Sequence, residues 1–209
     1  MISQDLFEKI KRKYGDVASW AVWAEAGDKP KSNVANMDVF DLEKNPSLLD
    51  ILQNHAVMVG LNFSRSVAAS EPFKNFHDSS PHANDFKIRY AFWDTPFYGA
   101  YMTDVIKNTP LKVAKDLSSY LNRHPDAVQE NIALFRRELS DLETERPLLL
   151  AFGVDAYNLL RENLRRQEYH ALIRLTHYSH QIGKENYRRT VTDEIRLAMR
   201  DVPALHPFE

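Results

Sequence analysis

Cysteine is absent from the 209 residues, which excludes disulfides, thiolate nucleophiles and cysteine-ligated clusters. An excess of either charge is lacking too. The 27 lysines and arginines stand against 29 aspartates and glutamates, so no strongly basic surface advertises nucleic-acid binding, although a local basic patch stays open. No apolar run is long enough to cross a bilayer. Met1-Ile2-Ser3-Gln4-Asp5 does not open as a signal peptide does, and the expectation is a cytoplasmic protein with no membrane partner. Internal repeats and low-complexity tracts are missing as well. What is present is the balance of a soluble globular chain, 44% hydrophobic and 27% charged. The length suits one sizeable core, so a single domain is expected over 1–209, with a helical N-terminal extension over about 1–45.

Leu6, Phe7, Ile10 and Tyr14 have helical spacing and Gly15-Asp16 stops them. Ser19 to Ala24 is apolar but too short to assign. Asn45-Pro46-Ser47 starts a helix with Leu48, Leu49, Ile51 and Leu52 inward. Ala56 to Leu61 reads as a buried first strand ending in Asn62. A loop rich in Ser and His follows over 64–85, long enough to suggest function, then a short helix over 86–93. Gly99 to Lys107 reads as a second strand with a polar pair, Thr103-Asp104, in its middle. Residues 109–123 read as connection with a helical turn. Pro125 opens a helix with Val128, Ile132, Phe135, Leu139 and Leu142 on one face. Leu148 to Phe152 is a third strand. The helix after it puts Val154, Tyr157, Leu160 and Leu164 inward. Ala171 to Leu175 is a fourth strand, and a last helix over about 184–199 buries Tyr187, Val191, Ile195 and Ala198.

Strands alternating with helices predict an α/β fold, a three-layer α/β/α sandwich around a four-stranded parallel sheet. Such a sheet brings its strand ends to one edge, where ligands bind. Those ends carry Gly60-Leu61-Asn62, Thr103-Asp104, Gly153 and Thr176-His177.

The order of these motifs resembles the uracil-DNA glycosylase superfamily. Gly60-Leu61-Asn62-Phe63 is similar to its first motif, and His177-Tyr178-Ser179 to its second. Tyr101-Met102-Thr103-Asp104-Val105-Ile106-Lys107 resembles the Tyr-x-Thr-Asn-x-x-Lys of some bacterial branches, and Pro72-Phe73 a pair in the intervening loop. The likeness covers roughly residues 50–200. It implies hydrolysis of an N-glycosidic bond in DNA or a related nucleoside. Asn62 would position water and His177 would stabilise the leaving base. Phe73, or failing that Phe76, would stack on the flipped ring, and Asp104 would read the base edge. Gly60, Leu61, Phe63 and Ser179 would complete the base pocket. Ser64, Arg65, Lys184 and Arg188 would meet the nucleic-acid backbone, and Ile182 is the candidate wedge. No cofactor or metal is implied.

The chain departs from the pattern at both motif prolines, replaced by Phe63 and Tyr178, and at the amide replaced by Asp104. An ionised carboxylate only accepts hydrogen bonds, so amino-bearing edges are expected to be favoured over uracil. Each residue has a plainer alternative. Asn62 suits a turn and His177 a structural role. Asp104 would pair with Lys107 or an arginine, Phe73 would serve core or loop packing, and Lys184 and Arg188 would coat a solvated helix face. His77, His82, His177 and His180 fit no zinc spacing. A non-catalytic binder of nucleic acid, nucleotide or protein, and a small-molecule hydrolase using Asp104 with His177, remain the other functional readings.

Overall fold

A computed structural model of the chain describes residues 1–62, 71–107 and 114–200, and for 114–116, 118 and 122 the backbone alone. Five strands form one mixed sheet. β1 is Ser19–Trp20, β2 Gln53–Asn62, β3 Ala100–Ile106, β4 Leu148–Phe152 and β5 Ala171–Leu175. The order is β1-β3-β2-β4-β5. β2 to β5 run parallel, whereas β1 pairs antiparallel with β3. The expected four-stranded parallel sheet is therefore corrected to four parallel strands plus an antiparallel edge. Ser19–Trp20, from the apolar run at 19–24, supplies that edge, so the N-terminal segment adds a strand to the sheet as well as the helix expected there.

The helices are α1 (Gln4–Tyr14), α2 (Leu48–Ile51), α3 (Asp85–Phe92), α4 (Ala114–Arg123), α5 (Pro125–Asp141), α6 (Val154–Asn163) and α7 (Lys184–Met199). Strand alternation sorts the core into two layers. Val57, Val59, Tyr101, Val105, Leu149 and Ala151 pack with α1, α5 and α6 on one face. Ala56, Met58, Met102, Leu150, Phe152 and Ile173 pack with α3 and α7 on the other. No helix among the described residues is long and apolar enough to cross a membrane.

The strand expected at 56–61 starts three residues earlier, where Gln53 joins Ala100 across an irregularity in the ladder. The connection expected at 109–123 holds a full helix from Ala114. Val154, expected inward, is 50% exposed, because it occupies the first turn of α6 at the rim of the sheet.

The polar residues of β3 face opposite ways. Tyr101 and Thr103 hydroxyls both donate to Glu138 Oε1 at 2.8 Å. The Lys107 ammonium lies 2.6 Å from Glu138 Oε2, with side-chain exposures of 7% and 0%, and above the Phe135 ring. The Lys107 N–H donates to Asn131 Oδ1 at 2.8 Å. This buried network clamps α5 onto β3 and leaves Asp104 pointing to the other face.

Removing one partner of such a pair strands a buried charge. Glu138→Ala is predicted to lower the unfolding free energy by about 3–5 kcal/mol, read by denaturant titration; a loss under about 1 kcal/mol, the scale of a surface pair, would contradict the clamp.

Candidate functional site

The chain runs from central β2 outward to β3, then returns to β4 on the other side of β2 and continues to β5. That reversal is a switch point, where connections leave in opposite directions and open a crevice at the carboxyl ends of the strands. A hollow of about 370 Å³ occupies it. Gly60, Leu61 and Asn62 line it from β2, Asp104 from β3, and Phe152 and Gly153 from β4. The first turn of α6 and His177, Tyr178 and Ser179 after β5 complete the wall. Asn62, Asp104 and His177 thus share one cavity.

Asp104 is 5% exposed and stands opposite Gly60 in the parallel register. A Cβ on residue 60 would lie 2.2 Å from Asp104 Oδ1, so only glycine admits the carboxylate there. Asn75 Nδ2 donates to Asp104 Oδ2 at 2.9 Å and to the Val17 carbonyl at 2.8 Å. Asn75 Oδ1 accepts the Phe76 N–H, so the amide is locked. Burial pushes the Asp104 carboxyl up to about 6, offset in part by the Asn75 hydrogen bond and the Lys107 charge. The expected alternative, an Asp104–Lys107 ion pair, does not form: the Lys107 ammonium pairs with Glu138 and reaches only the Asp104 backbone carbonyl.

His177 is held against Gly153, whose absent Cβ would lie 3.5 Å from the imidazole and whose φ of +91° suits glycine. The Ser179 backbone N–H donates to His177 Nδ1 at 3.1 Å, and Ser179 Oγ lies 2.8 Å from the same nitrogen. A backbone N–H can only donate, so Nδ1 is the acceptor and the ring proton sits on Nε2. Burial lowers the His177 pKa, which favours this neutral tautomer. Tyr178 stacks on the imidazole with centroids 4.3 Å apart and meets Phe152 edge-on.

Comparison with family models, with curated proteins and with solved structures gave no match for this chain.

Several expected site residues lie elsewhere. Phe73 is fully buried against Phe7 and Phe40, because its φ of +65° turns it into the α1 side of the core; the stacking role is corrected. Phe76, also with positive φ, comes up beneath Gly60, its ring 3.5 Å from where a Cβ would be. Ile182 packs against the α3–α7 core and is no free wedge. Lys184 and Arg188 line a different hollow, beside Tyr90. Phe63, Ser64 and Arg65 lie outside the described residues. Among the described residues no three His, Asp or Glu side chains gather as metal ligands.

Asn75 is the site residue that sequence reasoning missed. A lone amide in a polar loop carries no periodic signal, and only its place between two buried phenylalanines hints at a fixed position.

The raised Asp104 pKa makes a stability prediction. The native state binds this proton more tightly than the unfolded chain between the ordinary 3.8 and about 6, so stability falls as pH rises through that window. Asp104→Asn keeps an acceptor for Asn75 and removes the buried charge. It is predicted to gain on the order of 2–3 kcal/mol near neutral pH, read by denaturant titration, with the gain vanishing at acid pH. An unchanged or lower stability at neutral pH would contradict it.

Proposed function

We propose that the chain is a uracil-DNA glycosylase-like protein that hydrolyses the N-glycosidic bond of a base seated in the hollow. The observation that carries the reading is the meeting of Asn62, Asp104 and His177 around one cavity at the switch point. Three motifs far apart in sequence line a volume suited to a base and part of its sugar.

The chemistry follows from what each group can do. When the bond to C1′ breaks, its electron pair leaves with the base; water gives its hydroxyl to C1′, and its remaining proton passes through solvent to the departing base nitrogen. Asn62 orients that water; an amide does not titrate near neutral pH, so it contributes position and not proton abstraction. His177 Nε2–H points a neutral donor at charge growing on the base. The first N–H groups of α6 favour negative charge at the same wall.

Asp104 sets which edge is accepted. Above about pH 6 its carboxylate accepts only, which suits the amino group of cytosine. Below that value the protonated carboxyl also donates, which suits the O4 of uracil.

A binding role without turnover is the second reading. It is favoured by the non-titrating amide at Asn62 and by Tyr178 stacked flat on His177.

Formation of abasic sites, assayed with uracil- and cytosine-containing oligonucleotides across pH, tests both. The predicted result is base release that shifts toward uracil as pH falls through about 6. Asn62→Ala and His177→Ala are each predicted to reduce it about 100-fold while leaving base binding intact. Base binding with no release at any pH would select the second reading, and neither binding nor release would defeat both.

A further inference from the structure

α3 carries Phe86 and Tyr90 one turn apart, and Trp93 follows as its C-terminal cap, so that all three line one hollow. All three are partly exposed, whereas Trp20 and Trp23 are buried at 0% and 2%. The hollow, of about 360 Å³, is separate from the Asp104 cavity and closed by the loop at 25–30 and by α7.

Cations stand among these rings. Lys184 Nζ lies 3.9 Å and the Arg188 guanidinium 5.8 Å from the Tyr90 ring centre, and Lys31 Nζ 5.4 Å from that of Phe86. Arg188 is fixed by donating to the Tyr90 carbonyl. Arg89 lines the same hollow at 3% exposure. Its guanidinium donates to the carbonyls of Ala24, Pro30 and Ser32, so it pins the loop through neutral partners. The Lys184 ammonium pairs with the exposed Glu185, a contact of small weight.

Ring faces interleaved with cations in a ring-sized groove are the chemistry of single-strand recognition, bases stacking while phosphates are neutralised. We propose that the hollow between α3, α7 and the loop at 25–30 is a platform for single-stranded nucleic acid, with a base on Trp93 and the adjoining phosphate on Lys184 and Arg188. Glu25 and Asp28 line the loop wall. They turn phosphate toward α7 and favour bases with amino groups, whose N–H bonds they accept. The platform is distinct from the base hollow and shares with the preceding reading only the class of partner.

Tryptophan fluorescence tests it, because Trp93 is the one tryptophan of three that is not buried. Titrating the full chain with short cytosine oligonucleotides, and separately with cytidine monophosphate, should give saturable quenching by the oligonucleotide that weakens as salt rises. Trp93→Phe should abolish the quenching while retaining binding by anisotropy, and Trp93→Ala should weaken binding about tenfold. Lys184→Ala with Arg188→Ala should flatten the salt dependence. Quenching by the mononucleotide alone, or oligonucleotide binding indifferent to all these variants, overturns the platform. His177→Ala should leave the quenching intact, so failure of the base hollow and failure of the platform are read separately.

Discussion

The approach of the Asp104 carboxylate to the bare backbone of Gly60 is the contact on which the site depends. It needs three things at once: a parallel register that sets residue 60 beside residue 104, no side chain at 60, and β3 rotated so that Asp104 faces the crevice. The rotation is enforced from the opposite face. Tyr101, Thr103 and Lys107 all engage Glu138, and strand alternation then leaves Asp104 one direction. A slip of one residue would bury the wrong set on both faces. The Tyr-x-Thr and Lys positions of that stretch thus serve the clamp, and Asp104 alone serves the hollow.

Two left-handed phenylalanines carry the second half of the arrangement. Phe73 and Phe76 adopt positive φ, a conformation that costs a bulky residue roughly 1–3 kcal/mol. Burial of both rings offsets it, one in each core layer. Between them Asn75 is delivered to Asp104. His77 extends the anchoring, its ring stacked on Trp23 and its nitrogens 2.9 Å from the Val22 and Asn75 carbonyls. Burial acts on Asp104 and His177 in the neutralising sense, raising the one and lowering the other.

The sequence made the helices and parallel strands legible because their periodicities are strong: α5 shows Ile132, Phe135 and Leu139 at helical spacing, and β4 is an unbroken apolar run. Asn62 and His177 are legible as polar groups at or just past strand ends, Asp104 as a polar residue within an otherwise apolar strand, and Gly60 as the break before Asn62. Other features depend on tertiary contacts that no local pattern encodes. β1 is two residues long and exists only by pairing with β3. Val154 follows the helical pattern yet faces out because α6 begins at the rim. The stacking role expected of Phe73 fails because its backbone angle, not its neighbours in sequence, decides where the ring goes. The place of Asn75 is set by the same loop geometry and leaves no local signal. Phe86 and Tyr90 stand one turn apart in the sequence but look like core until exposure is known.

The central claim is that Asp104 and His177 close on a single ring from two sides of the switch-point crevice. Amide NMR mapping with cytidine tests it most directly. The account predicts that backbone signals of Gly60, Leu61, Gly153, Ala156 and Ser179 shift together and saturably, while those of α1 stay still. Shifts confined to other surfaces, or no shift at saturating cytidine, would contradict it.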